Sequence, residues 1–219
     1  MLISIVSATE AEILPTIRFL SGRGFALQNN KFQLLITGVG TLPTTYLLTK
    51  HITHHQPDLL IQAGIAGSFS QQLELLSTAI VEEEILGDLG VEESGLYKDV
   101  FDLKLSDPSH FPFIEKKLIN PNCQTWENFG FQKVRAISIN EISTMPDRIE
   151  KIKSLYNPDL ESMEGAAFHY VCLQEKKDFL QIRTVSNKVG ERDKKKWKLK
   201  ESIETLNEAL IKIVEEISI

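Results

Sequence analysis

Glu10 and Glu12 stand directly behind the first apolar run of the chain, in Thr9-Glu10-Ala11-Glu12, and two further candidates, Glu164 and Asn187, sit in one stretch much later. A carboxylate projecting from a strand-to-helix turn can act as a general base and take a proton from water. The same four residues also spell a capping box, Thr9 at the N-cap and Glu12 reaching back to its amide, and the two readings are compatible. In the later stretch Ser162 reads as an N-cap, Glu164 falls in the first turn of a helix ending near residue 174, and 179–185 reads as a buried strand. Asn187 then lies just past the carboxyl end of that strand, where open α/β sheets place their ligands. Gly38 and Gly40 follow one strand and Gly64-Ile65-Ala66-Gly67 another, so small residues collect at the same end of the sheet. Taken singly they read equally well as turn glycines. Their spacing matches neither a dinucleotide fingerprint nor a triphosphate-binding loop.

The elements that must position these residues alternate in type. Residues 2–7, 32–37 and 58–62 read as strands; 9–20, despite Pro15, and 42–55 read as helices. That order implies an α/β fold of parallel strands with crossover helices packed on both faces. Further strands are predicted at 78–83 and 134–139. Residues 87–98 are too rich in glycine and charge for a core element, a short helix is expected within 107–122, and Pro146 opens a helix running to 155. Ile203, Leu206, Leu210, Ile213 and Ile217 recur at three- and four-residue spacing, the mark of an amphipathic helix closing one face.

Composition narrows the function classes. A chain of 219 residues with 42% apolar residues suits one domain spanning 1–219, and a net charge of −6 without a basic block offers no footprint for nucleic acid or an anionic membrane. The opening residues carry no basic leader, and no apolar run approaches the roughly 20 residues of a membrane span. A soluble, cytoplasmic protein is the expectation. Cys123 and Cys172 lack the spacing of a disulfide framework or a zinc site, and His51, His54 and His55 read as surface or interface histidines rather than metal ligands.

Jointly, Ala-x-Glu-x-Glu after a strand, Gly-x-Gly, Gly-x-Ala-Gly, Met-Glu-Gly-Ala-Ala from Met163, and Arg183-x-x-Ser-Asn resemble the nucleoside phosphorylase and nucleosidase superfamily. The resemblance spans nearly the whole chain and is loosest over 88–145. It implies a single-domain three-layer αβα sandwich around a mostly parallel, mixed central sheet, a small-molecule nucleoside substrate, no metal or organic cofactor, and a homodimer in which a partner loop closes the site. It also implies roles. Glu12 would activate water; Glu164 would accept bonds from ribose hydroxyls with Met163 packed against the sugar; Arg183 would orient the water or Glu12. Ile65, Ala66 and Gly67 would wall the sugar and base, although a serine frequent in related hydrolases is replaced by Ile65.

Two substitutions within that pattern point to a subgroup. A carboxylate at Glu12 repels phosphate but polarises water, which favours hydrolysis over phosphorolysis. Asn187 stands where adenine-specific nucleosidases carry Asp; an amide offers both a donor and an acceptor and so suits a 6-oxopurine such as hypoxanthine. Asn gives up no proton, so the departing base must be protonated through water or another route. Residues 87–92 and 186–192 with Trp197 resemble the futalosine-hydrolysing branch. Lys188, Arg192 and Lys194 are candidates for an aryl carboxylate of such a substrate, against the plainer reading of 192–200 as a solvated face. Asp88 and Glu92 read equally as pocket wall or structural turn. Three alternatives remain: an adenine nucleosidase acting on methylthioadenosine or adenosylhomocysteine, a purine nucleoside phosphorylase, and a non-catalytic nucleoside-binding protein.

Overall fold

A computed structural model describes residues 1–218. In chain order its elements are β1 (Leu2–Ser7), α1 (Glu10–Ser21), β2 (Ala26–Leu27), β3 (Asn30–Ile36), α2 (Thr41–His55), β4 (Leu59–Ser68) and β5 (Thr78–Leu86). There follow β6 (Gly90–Glu93), β7 (Leu96–Asp99), β8 (Lys117–Ile119), β9 (Gln132–Ser138), α3 (Pro146–Tyr156), β10 (Leu160–Ser162), α4 (Gly165–Gln174), β11 (Asp178–Lys188) and α5 (Leu199–Glu216). The fold is α/β with a mixed sheet. Strands β1–β3, β1–β4, β4–β11, β5–β9 and β9–β10 pair in parallel, whereas β2–β3, β5–β8, β5–β11 and β4–β10 pair antiparallel. Because β10 pairs back onto β4, the path β4–β11–β5–β9–β10 closes on itself.

β4 shows why a central strand carries apolar residues on both faces rather than alternating. Leu59, Ile61 and Ala63 point into one cluster with Ile13 and Leu20 of α1 and Leu206, Leu210, Ile213 and Val214 of α5. Leu60, of opposite parity, points into another with Leu48 and Ile52 of α2 and Phe168, Val171 and Cys172 of α4. A strand covered on both faces has no polar side to display. Each fully buried Leu or Ile here contributes about 1.5–3 kcal/mol.

Pro15 sits inside α1, where its ring removes an amide and crowds the preceding turn. Asn207 of α5 serves the backbone around it: its Nδ2 donates to Glu12 O at 2.8 Å, and its Oδ1 accepts from Thr16 N at 3.0 Å and Thr16 Oγ1 at 2.6 Å. The buried amide thus holds the helix together just behind Glu12.

Several boundaries differ from expectation. Ser162 ends β10 instead of capping a helix, and Glu164 is itself the N-cap of α4. β11 runs through a bulge to Lys188, so Asn187 lies within the strand, and Gly64–Gly67 belong to a ten-residue β4 instead of a turn. No α-helix forms within 107–122; Pro108, Pro112 and Pro121 interrupt it, and the segment holds β8 and leads into a 3-10 helix, Cys123–Phe129. Residues 87–98 form the β6–β7 hairpin, a two-stranded sheet outside the main one, turning at Ser94 and Gly95, both at positive φ.

Candidate active site

Above the carboxyl ends of β1, β4 and β11 lies a cavity of about 390 Å³. It brings together Glu12, Ile65, Ala66, Gly67, Met163, Glu164 and Asn187, with Glu161 and Ser162 beside them and Val39, Ile139, Ile142, Trp197, Leu199 and Ile203 as apolar walls. Arg183 is absent from the lining. It lies fully buried beneath, and a side chain at Gly64 would collide with its guanidinium.

Glu12 makes the capping contacts and also lines the cavity. Its Oε2 accepts from Thr9 N at 3.1 Å and Thr9 Oγ1 at 2.9 Å, the capping arrangement, while Oε1 accepts from Ile65 N at 3.2 Å across the cavity wall. Two elements therefore fix one carboxylate, which leaves its remaining lone pairs in a set direction.

Glu164 is held from three sides. Oε1 accepts from Gly40 N at 3.0 Å, Oε2 lies 3.5 Å from Arg183 Nη2, and Phe168 N returns to its carbonyl. Gly40 and Gly38 both adopt positive φ, which lets the loop turn its amide onto the carboxylate. Within the Gly-x-Gly motif, it is Gly40 N that donates to Glu164, whereas Gly38 N donates to Ala8 O. Arg183 reaches Gln62 Oε1 at 3.2 Å with the same Nη2, so within this structure it positions Glu164 and makes no bond to Glu12.

Asn187 follows the β11 bulge, where Val185 pairs with Ala66 and Asn187 with Gly67, leaving Ser186 unpaired. Ser186 Oγ donates to Asn187 Oδ1 at 2.8 Å and Asn187 Nδ2 donates to Lys188 O at 3.0 Å. Both contacts orient the amide, yet one N–H and one lone pair stay unused.

Behind α4 sits a buried polar chain that motif reading does not reveal. Glu84 accepts from Gln181 Nε2 and Ser138 Oγ, each at 2.9 Å, and Ser138 Oγ accepts in turn from Ala166 N at 2.7 Å. Gly165 is required there, because a side chain would strike Glu84. Burial pushes the Glu84 carboxyl up to about 7, against the pull of Gln181, Arg183 and Ser138. His169, also fully buried, is driven down to about 4 by the same desolvation.

The other candidates fall elsewhere. His51 is buried against Ser4 Oγ at 2.7 Å, and among the described residues no group of three or more His, Cys, Asp or Glu is placed to hold a metal. Lys188 Nζ is tied to the carbonyls of Ser70 and Leu73, both at 2.7 Å, and Arg192 stacks over Trp197. Asp88 caps the loop after β9 through Asn140 and Glu141 and lines a separate cavity with Glu92. Among the described residues no helix is long and apolar enough to cross a membrane.

The profile of the Phosphorylase superfamily matches residues 17–218. The chain belongs to this superfamily. Within it, the chain is 26% identical over 200 residues to futalosine hydrolase of Thermus thermophilus, covering 90% of this chain and 87% of that protein. It is 29% identical over 188 residues to 5'-methylthioadenosine/S-adenosylhomocysteine nucleosidase of Geobacillus kaustophilus, covering 83% and 76%. Both relatives are N-glycosyl hydrolases. The native structure of futalosine hydrolase of Helicobacter pylori superposes with a TM-score of 0.80 over 99% of this chain and 98% of that one, at 17% identity, a likeness of fold.

Sequence reasoning overlooked Glu161 and Ser162 as lining residues and Gln62, Glu84 and Asn207 as supports. Glu84 is the last of three consecutive glutamates and Glu161 stands among Asp159, Ser162 and Glu164, so neither is marked out by its neighbours; for Asn207, nothing in its neighbourhood pointed 191 residues back to Thr16.

Proposed function

We propose that this protein is a nucleosidase that hydrolyses the N-ribosyl bond of futalosine, releasing hypoxanthine and dehypoxanthine futalosine in menaquinone biosynthesis. The observation that carries the reading is the convergence of Glu12, Glu164 and Asn187 on one cavity. Glu12 takes a proton from water as the water oxygen bonds to the anomeric carbon and the carbon–nitrogen bond breaks, its electron pair leaving with the base. Glu164 accepts bonds from the ribose hydroxyls and stabilises the cationic sugar, while Asn187 donates to the purine as negative charge builds on it. The proton reaches the base by way of water. Met163, Ile65, Ala66 and Gly67 shape the walls, and Arg183 acts through Glu164. A cytoplasmic homodimer on a three-layer αβα sandwich, its sheet mostly parallel, completes this reading, supported by the two-faced clusters around β4 and by exposed Val39 at the cavity rim.

The adenine-nucleosidase relatives favour a second reading, methylthioadenosine or adenosylhomocysteine hydrolysis. Measuring base release from futalosine and methylthioadenosine, each with and without phosphate, separates them. Phosphate-independent release of hypoxanthine is expected; adenine release alone would overturn the futalosine assignment, and phosphate dependence would overturn hydrolysis.

A further inference from the structure

Three ionisable side chains share the interior behind the cavity, and only two of them can balance. Arg183, Glu164 and Glu84 are 2%, 5% and 0% exposed. The guanidinium Nη2 lies 3.5 Å from Glu164 Oε2, longer than the bonds of a committed Arg–carboxylate fork, and the same nitrogen serves Gln62 Oε1 at 3.2 Å. Its charge is therefore open to a second carboxylate. One buried cation neutralises one buried anion, and a third charge stays uncompensated.

Glu84 reaches the same place from β5. A side chain at Gly165, the residue after Glu164, would strike its Oε1. Its Oε2 accepts from Ser138 Oγ, which accepts from Ala166 N, an amide in the first turn of α4. The carboxyl is thus packed on the backbone that carries Glu164 and tied to the next amide along. Arg183 on β11 and Glu164 at the head of α4 are the charged groups facing it; Gln181 and Ser138 are its neutral partners, and His169 of α4 lies beyond Gln181, kept neutral by its own burial. Glu84 is not among the residues lining the cavity, so its influence on a substrate passes through Glu164.

We infer that Glu84 is a positioning residue for the reaction: its charge decides how much of Arg183 is left to neutralise Glu164, and so how strongly Glu164 draws the ribose hydroxyls. The inference rests on the nucleosidase reading and deepens it. With Glu84 protonated, Arg183 and Glu164 form a balanced pair, and the pull of Glu164 on a hydroxyl proton is blunted. With Glu84 ionised, one guanidinium serves two carboxylates. Glu164 then becomes the stronger acceptor and the better partner for a cationic sugar. Burial pushes the Glu84 carboxyl up to about 7, so the grip on ribose is weaker below that pH and stronger above it.

The readout is a ratio of kcat/KM, taken for whichever of futalosine and methylthioadenosine the protein hydrolyses over the 2′,3′-dideoxy analogue of the same compound. Titration of Glu12 and protonation of the base act on both members alike and cancel, as does any general loss of stability. In the wild type the ratio is expected to rise about 3- to 10-fold between pH 6 and pH 8; a ratio independent of pH would overturn the inference. Glu84→Gln keeps an oxygen for Ser138 Oγ, and Gln181 meets the new amide N–H by turning its own amide. In that variant the ratio is expected to stay at the low-pH level of the wild type throughout, and a rise like that of the wild type would overturn the inference. Should the variant not fold, the wild-type profile decides by itself. A wild type that hydrolyses neither nucleoside sinks the nucleosidase reading, a result distinct from hydrolysis with a flat ratio.

Discussion

In the proposed reaction Glu12 and Asn187 do different kinds of work, and substitutions should separate them. Glu12→Gln keeps an acceptor for the Thr9 or Ile65 amide but loses the basicity needed to take a proton. Turnover should drop by about 10²–10⁴, with nucleoside binding retained in calorimetry and the thermal midpoint lowered only by the one amide left facing the new NH2. An active Glu12→Gln protein would remove the general base from the mechanism, and an inactive wild type that binds nucleoside would favour a binding protein. Asn187→Asp replaces a donor-and-acceptor amide by an acceptor, and a mispaired buried group costs about 1–3 kcal/mol. Competition between 6-oxo- and 6-aminopurine nucleosides should therefore shift about 10- to 100-fold toward the amino compound. The capping signature made Glu12 legible, and the end of an apolar run made Asn187 legible. Glu161 stayed hidden because its place beside the cavity comes from a pairing with Gly67, 94 positions earlier.

At the scale of elements, α1 and α4 are each held behind their cavity carboxylate by a buried polar group from another part of the chain. Pro15 announced a weakness in α1, but the residue that mends it, Asn207, came into view only with α5 packed in place. Asn207→Leu strands Glu12 O and Thr16 N and should lower stability by about 2–4 kcal/mol in denaturant titration, with a fall in kcat from the misplaced Glu12. For α4 the sign depends on pH. Glu84, raised to about 7, contributes stability that is fully present below the ordinary carboxyl range and lost as pH rises through 7. His169, lowered to about 4, contributes in the opposite sense, its share present above about 6.5 and lost as pH falls through 4. Glu84→Gln removes the first. The unfolding free energy of the variant relative to wild type should therefore climb between pH 5 and pH 8, by up to about 3 kcal/mol; a difference independent of pH would show that Glu84 stays ionised throughout.

Over the whole molecule, the strands themselves, though not their order, were readable where apolar runs were long and flanked by turn residues, as in β1, β3, the first half of β4 and β11. The three-residue strands β8 and β10 were not, since so few residues carry no period and their pairing depends on partners far along the chain. β10 matters most, because its return to β4 closes the sheet and sets Glu161 opposite Asn187. A similar dependence on distant surfaces applies to assembly. Val39 at the cavity rim is 56% exposed, and Leu42 and Tyr46, in the first turns of α2, are 82% and 65% exposed. Three large apolar side chains beside a substrate cavity suit burial against a second copy, since such patches mark interaction surfaces. Sedimentation should give twice the 24.8 kDa chain mass. Leu42→Asp combined with Tyr46→Asp should yield a folded monomer whose KM rises about 10-fold, the order expected from about 1.4 kcal/mol of lost binding, because Val39 then loses its cover. A wild type that sediments as a monomer at full activity would show that one chain closes its own cavity.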